Sequence, residues 1–268
     1  MVTRLFPERT AGEASRTPPG CVVWAVGDIH GRSDLVDRLF QAIRADLDVS
    51  EAKRKVVVLL GDYVDRGLDS RGVLNQICNL AADPGLEVHV LRGNHEEQME
   101  LFLRDPSVGP AWCEFGGRAT LASYGVQPPV MRNDAAGWTL TCQALGKAIP
   151  DFHHVLLGEL ETSVMIGDYF FAHAGARPGV RLSAQTPGDL MWIREVFLED
   201  AALFEQVVVH GHTPADTVHS DARRIGVDTG AYATNVLSAV RLEDDRRKLM
   251  QATSRGGRVA IKSWSLPG

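Results

Sequence analysis

The chain has 268 residues, 44% of them hydrophobic, and a net charge of −6, enough apolar mass for one substantial core. That acidic balance excludes a general basic surface for gripping nucleic acid. No stretch approaches the roughly 20 apolar residues that a membrane helix needs.

Residues 1–20 carry charges and Thr17-Pro18-Pro19-Gly20 but no apolar run, and are expected to form a flexible tail rather than a signal peptide. Val22–Val26 reads as a buried strand that stops at Gly27-Asp28. Leu35, Val36, Leu39, Phe40, Ile43 and Leu47 then recur at helical spacing, with Ser33 as the expected N-cap. Val56–Leu60 is a second strand, ending at Gly61-Asp62, and a helix follows over Ser70–Ala81. A third strand, Glu87–Leu91, runs into Arg92-Gly93-Asn94, with a third helix starting near His95. Three strand–helix units in succession predict an α/β sheet whose first strands are parallel, with the binding loops at their carboxyl ends.

Residues 105–150 break this rhythm with Pro106, Pro110, Pro128 and Pro129, Gly116-Gly117 and the aromatics Trp112, Phe115, Tyr124 and Trp138. They read as a mostly helical cap inserted beside the active face, with these aromatics as its own core. Strand signals return at Ser163–Ile166, Tyr169–Ala172, Val207–His210, Arg224–Val227 and Val236–Leu242, with Gly167-Asp168 as a hairpin turn. The expected domain is 21–245, followed by an extension over 246–268 with a last strand near Val259–Ile261 or no fixed structure. Cys21, Cys78, Cys113 and Cys142 are spaced too widely for a C-x-x-C ligand pair and read as reduced thiols of a cytoplasmic protein.

Five polar clusters follow apolar strands: Gly27-Asp28-Ile29-His30-Gly31, Gly61-Asp62-Tyr63-Val64-Asp65-Arg66-Gly67, Gly93-Asn94-His95-Glu96, His173-Ala174-Gly175 and Gly211-His212-Thr213-Pro214. Each pairs a possible metal ligand with a glycine that lets the backbone turn sharply. The mixture of Asp, Asn and His suits borderline divalent metals. One metal is assigned Asp28, His30 and Asp62. The other takes Asp62, Asn94, His173 and His212, with the Asp62 carboxylate as bridge. The formal charges of two dications, two carboxylates, a hydroxide and a phosphate dianion sum to a single negative charge. Arg66 and Arg194 reverse it, and with Asn94 they are the expected phosphate contacts. His95 is the expected general acid, with Asp65 as its partner. His210 reads as structural. His89, His153, His154 and His219 have no motif around them and read as ordinary.

The ordered set GDIHG, GDYVDRG, LRGNHE, HAG and GHTP resembles the calcineurin-like metallophosphoesterases. More narrowly it resembles their phosphoprotein phosphatase branch, whose members include bacterial and phage serine/threonine phosphatases such as that of bacteriophage lambda. The resemblance spans about residues 22–242. It implies a four-layer α/β (α+β) fold, a β-sandwich of two facing sheets flanked by helices with a helical cap, in place of one open sheet. It also implies two divalent metals (manganese, with iron, zinc, nickel or magnesium as substitutes) and direct attack by an activated water. The same ligands carry over position by position, as do His95 with Asp65 as the acid pair and Arg66 and Arg194 as the clamp. The SAPNYC-like loop of the animal enzymes is replaced here by Asp228-Thr229-Gly230-Ala231, a stretch shared with bacterial phosphatases and with symmetrical diadenosine tetraphosphate hydrolases. The resulting expectation is a serine/threonine protein phosphatase acting as a monomer or small oligomer on a phosphoprotein or small phosphate ester. A dinucleoside polyphosphate hydrolase is the alternative. An inactive binding module is the third reading, disfavoured because every expected ligand is present.

Overall fold

The computed structural model describes residues 14–267. Its frame is two sheets. The first contains β1 (Cys21–Val26), β2 (Arg54–Leu59), β3 (Glu87–Val90), β9 (Val236–Glu243), β10 (Arg246–Arg255) and β11 (Arg258–Leu266), in the order β11-β10-β9-β1-β2-β3. The second contains β4 (Ser163–Ile166), β5 (Tyr169–Ala172), β6 (Val207–His210), β7 (His219–Ser220) and β8 (Arg224–Gly226), in the order β4-β5-β6-β8-β7. β1, β2 and β3 run parallel, as do β5, β6 and β8.

The period-two geometry of a strand explains the layers. On β1, Cys21, Val23 and Ala25 face a core shared with Tyr169, Phe171, Val207 and Val209 of the second sheet. Val22, Trp24 and Val26 face the opposite way, into a core shared with the helices α1 (Ser33–Asp48) and α2 (Ser70–Ala81). Because both faces are covered, β1 is apolar throughout instead of alternating. A third core, with Phe170, Ala172 and Val208, packs the outer face of the second sheet against α8 (Pro187–Trp192) and α9 (Glu195–Leu198). Helix, sheet, sheet, helix is the four-layer arrangement that the resemblance implies.

Between the sheets in sequence lie α3 (Asn94–Arg104), α4 (Gly109–Trp112), a single π turn over Cys113–Gly117, α5 (Arg118–Ser123), α6 (Ala135–Ala148) and α7 (Asp151–Gly158). Trp112, Tyr124 and Trp138 are buried in the same core as α1 and α2, while Phe115 is exposed. The short α10 (Ala231–Thr234) precedes β9. Among the described residues no helix is long and apolar enough to cross a membrane.

Three expectations need correction. Ser33 is the first helical residue of α1, not its cap: Arg32 is the N-cap, and its side chain makes no capping bond. The Ser33 hydroxyl donates instead to Asp69 Oδ2 at 2.6 Å, because Asp69 caps α2 and accepts from Gly72 N–H at 2.9 Å. Of the expected flexible tail, residues 1–13 lie outside the described residues, and the rest packs on the fold. Thr17 is buried and its N–H reaches Asp244 O at 3.1 Å, while Arg16 N–H donates to Asp168 Oδ2 at 2.9 Å. Finally, the extension past 245 is two strands rather than one, a β10–β11 hairpin that widens the first sheet.

Candidate metal centre

All the expected ligands sit on loops at the carboxyl ends of strands, and all are buried. Asp28 and His30 follow β1, Asp62 follows β2, Asn94 opens α3 after β3, His173 follows β5 and His212 follows β6. Asp62 stands in the middle: its Oδ2 lies 3.4 Å from His30 Nε2 and its Oδ1 3.4 Å from His173 Nε2. His173 Nε2 is in turn 3.0 Å from Asn94 Oδ1 and 3.2 Å from His212 Nδ1. Two groups of convergent ligand atoms result, His30–Asp62–His95 and Asp62–His173–His212, each within 4.8 Å and sharing Asp62. Asp28 belongs to neither group. Its carboxylate accepts the His212 N–H at 3.1 and 3.0 Å and lies close enough to Asp62 to be coupled to its charge. Gly211 has no side chain because a Cβ there would collide with Asp28 Oδ1.

His95 joins the first group by proximity, its Nε2 being 3.9 Å from Asp62 Oδ2. Both of its nitrogens have other partners, however. Nδ1 donates to Asp65 Oδ2 at 2.7 Å, and Nε2 meets Arg66 Nη2 at 3.2 Å. That arrangement suits a proton carrier beside the ligands better than a ligand.

The backbone is strained where it aims these groups. Among the described residues seven non-glycine residues have positive φ, and five of them are His30, Asp62, Asp65, Arg66 and His212. Left-handed backbone at such residues costs energy that only a rigid surround sustains. Glu96 supplies much of that surround. Fully buried, it accepts the N–H groups of Asp62 at 2.9 Å, Tyr63 at 2.8 Å, Val64 at 3.1 Å and Gly93 at 3.0 Å. Burial and the Asp62 charge still push its carboxyl up to about 7.

Electrostatics tests whether divalent metals fit here. His30 and His173 each donate Nδ1–H to a backbone carbonyl, of Val64 at 2.9 Å and Leu60 at 2.8 Å, which leaves Nε2 as a lone pair facing Asp62. Burial lowers the His30 imidazole to about 3 and His212 to about 2, and lowers His173 as well, so all three are neutral bases at ordinary pH. Among the described residues the buried His212 Nε2 has no hydrogen-bond partner. Burial would raise the Asp62 carboxyl, but its attraction for the charged forms of the facing His173, His95 and His30 rings works the other way and holds it low. Burial, then Asp228 and Asp62, hold Asp28 well above the usual carboxylate range. Three buried carboxylates, Asp28, Asp62 and Asp228, stand among neutral imidazoles and form a donor set that divalent cations would satisfy. The residues fit the group.

For His95, burial alone would lower the pKa, but Asp62 and then Asp65 raise it above the ordinary imidazole value. Arg194, exposed at the start of α9, lies within electrostatic reach of His173 and His212. His210 is buried on the far side: its Nδ1 donates to Gly211 O at 3.0 Å, its Nε2 meets Arg224 Nη1 at 3.2 Å, and its ring packs on Phe197. The other histidines have local partners, such as Tyr124 and Asn75 for His153 and Glu87 and Glu161 for His89.

Several residues of the site escape sequence reasoning. Glu96 stands inside a motif, yet three of its four backbone partners are more than 30 positions away. Asp228 lies beside Asp28, its carboxyl raised by burial to about 6. Tyr232 packs its ring edge-on to His30 at 5.3 Å and under Arg66 at 4.7 Å. Trp112, expected only as cap core, also donates its indole N–H to Asp65 at 2.9 Å.

A β-sandwich with Asp, Asn and His ligands converging on one shared aspartate is the framework of a dinuclear metallophosphoesterase. The description of the calcineurin-like phosphoesterases matches residues 21–245, and the chain belongs to that family, which uses a dinuclear divalent metal centre. The chain is 36% identical over 95 residues to serine/threonine-protein phosphatase 1 of Salmonella typhimurium, covering 35% of this chain and 38% of that protein. A 70-residue stretch is 34% identical to the Arabidopsis thaliana serine/threonine-protein phosphatase BSL2, 26% of this chain and 7% of that one. The matches thus span well under half the length of these curated relatives. Among solved structures, a proposed diadenosine tetraphosphatase superposes with a TM-score of 0.58 at 19% identity, over 94% of this chain and 98% of the other. A cold-active protein tyrosine phosphatase superposes at 0.55 and 19% identity, over 92% and 81%. At such identities these two speak for the fold alone.

Proposed function

We propose that this chain is a metal-dependent phosphatase that hydrolyses phosphate monoesters, with phosphoserine and phosphothreonine of proteins as its substrates. The observation that carries this reading is the convergence of His30, Asp62, Asn94, His173 and His212 beside a His95–Asp65 pair and Arg66. Asp28, His30 and Asp62 would hold one divalent cation, manganese in this reading, and Asp62, Asn94, His173 and His212 the other. When bound, these ions supply Lewis acidity toward the phosphoryl oxygens and activate a water.

The rest belongs to the chain's own side chains. Arg66 and Arg194, with Asn94, hold the phosphate oxygens, the planar guanidinium fork matching two oxygens at once. Arg66 rests on His95 Nε2 at 3.2 Å; turning to a phosphate frees that nitrogen to carry a proton. His95 delivers this proton to the leaving oxygen as its bond to phosphorus breaks, while Asp65 keeps Nδ1–H and holds the ring. The catalytic unit is taken as residues 21–245, and the four free thiols support a cytoplasmic location.

The test is one incubation of manganese-loaded protein with a phosphoserine peptide and diadenosine tetraphosphate together. Free phosphate with the dinucleotide intact is expected. ADP with the peptide intact would overturn the substrate and move the assignment to dinucleoside polyphosphate hydrolysis, the activity named for the proposed diadenosine tetraphosphatase of similar fold.

A further inference from the structure

Asp65 is where the helical segment 109–123 meets the centre. Its carboxylate receives three donors. Oδ2 accepts His95 Nδ1–H at 2.7 Å and Trp112 Nε1–H at 2.9 Å, and Oδ1 accepts the Thr120 hydroxyl at 2.6 Å. Its backbone N–H closes the cluster on Thr120 Oγ1 at 2.8 Å and Ser70 Oγ at 3.1 Å. Asp65, Thr120, Trp112 and Ser70 are essentially unexposed, and His95 nearly so. A carboxylate held on both oxygens cannot rotate, so neither can the imidazole bonded to it.

The same helical face makes a third contact. Residues 112, 116 and 120 are four apart, and at the π turn Gly116 O accepts the Arg66 N–H at 3.2 Å. Gly116 takes φ +118, and a Cβ there would meet Arg66 Cγ and N at 2.7 Å. One face of this segment therefore grips two consecutive left-handed residues, Asp65 and Arg66.

We propose that Trp112 and Thr120 are positioning residues for proton delivery by His95, so that the helical segment sets how well the site expels a poor leaving group. This rests on reading His95 as the general acid. The competing explanation is packing alone, since the Trp112 ring stacks on Phe102 at 5.0 Å. Packing does not account for the indole N–H: a phenylalanine would keep the ring contact and lose only the bond to Asp65.

The experiment uses the full, manganese-loaded chain with two substrates, 4-nitrophenyl phosphate, whose leaving group needs no proton, and a phosphoserine peptide, whose alkoxide does. Trp112→Phe and Thr120→Val should each lower kcat on the peptide about 10-fold, the scale of one hydrogen bond to a charged group. On 4-nitrophenyl phosphate the loss should stay below about twofold, with KM unchanged for both. In a His95→Asn background neither substitution should cost anything more. Equal losses on the two substrates, or an undiminished loss in that background, would overturn the proposal. Leu121→Val trims a buried neighbour without touching Asp65. It should lower the thermal midpoint without discriminating between leaving groups; the same discrimination there would mean packing is the cause. A readout that needs no turnover is the downfield proton resonance of His95 Nδ1–H, assigned by its loss in His95→Asn. It should exchange faster with solvent in Trp112→Phe, and unchanged exchange counts against the idea. If the wild type cleaves neither substrate, the proposed function falls, while this resonance still decides the positioning role.

Discussion

The two sheets serve the centre unequally. The first delivers Asp28, His30, Asp62, Asn94 and His95 on three loops, and those loops are tied to one another by side chains, above all by Glu96 with its four backbone N–H donors. The second delivers one histidine at the end of each of two strands, and atoms of the first sheet's loops orient both. His173 Nδ1–H donates to Leu60 O at 2.8 Å, and His212 N–H donates to Asp28 at 3.0 Å. The dependence therefore runs mainly one way. The first sheet builds the frame and the second lends two histidines to it, so damage to the frame should propagate while damage in the second sheet should stay local.

The largest effect should come from Asp62→Asn. Asp62 faces His30 with one oxygen and His173 with the other, and it ties the two halves together. Loss of a shared charge of this kind removes several kcal/mol of transition-state stabilisation, about a thousandfold or more in kcat. Turnover on a phosphopeptide and bound metal per chain should fall together; retention of activity within about tenfold would break the idea of a shared aspartate. Glu96→Gln comes next. An amide cannot accept on its nitrogen side, so some of the four N–H groups would face another donor at the place where strained backbone aims Asp62. Such supporting contacts are worth about 10- to 100-fold in activity or metal affinity. A variant with unaltered kcat and metal content would show that the frame does not depend on this carboxylate.

This one-way dependence also explains what the sequence discloses. The proposed metal ligands stand in consecutive motifs directly after apolar strands, so Asp28, His30, Asp62, Asn94, His173 and His212 can be picked out from local pattern. The supports cannot, because their partners lie far off in the chain. Glu96 acts on residues 62–64, Trp112 on Asp65, and Asp228 on Asp28. Nothing near Asp228 in Val227-Asp228-Thr229-Gly230 marks its carboxyl as buried; only the packing of two sheets puts it there. Ser33 misleads for a related reason: a suitable capping residue is drawn across to Asp69 on another helix. The hairpin of β10 and β11 hides in Arg246-Arg247-Lys248 and in the mostly exposed β11, where water on one face allows polar residues that blur the alternation.

Metal removal probes both halves together. Three buried carboxylates repel one another, so the folded state should gain stability from cations it binds and the unfolded chain does not. At a manganese concentration about 100 times the dissociation constant, that gain is about 2.7 kcal/mol. A chelator should lower the thermal midpoint of the wild type, and by clearly less for Asp62→Asn. An equal shift in both proteins would place the stabilising ions elsewhere.

The smallest effect on activity is expected at His210, two residues from His212 but turned into the second sheet's own packing. Its neighbours are Gly211 O, Arg224 and Phe197, and none of the metal-facing atoms. His210→Gln should keep kcat within about threefold while losing stability, as buried substitutions away from a site do. The pH dependence gives a sharper check. Burial and then the Arg224 charge lower the His210 imidazole to about 3, below its ordinary value of 6.5. The unfolded chain therefore binds a proton that the folded chain refuses between those two values. Stability from this residue is full above pH 6.5 and is lost as the pH falls toward 3, and in His210→Gln this component disappears. Denaturant unfolding of metal-free wild type and variant across that window measures the difference. A fall in kcat as large as that of Glu96→Gln would show instead that the second sheet also builds the frame, and the contrast between the two sheets would fail.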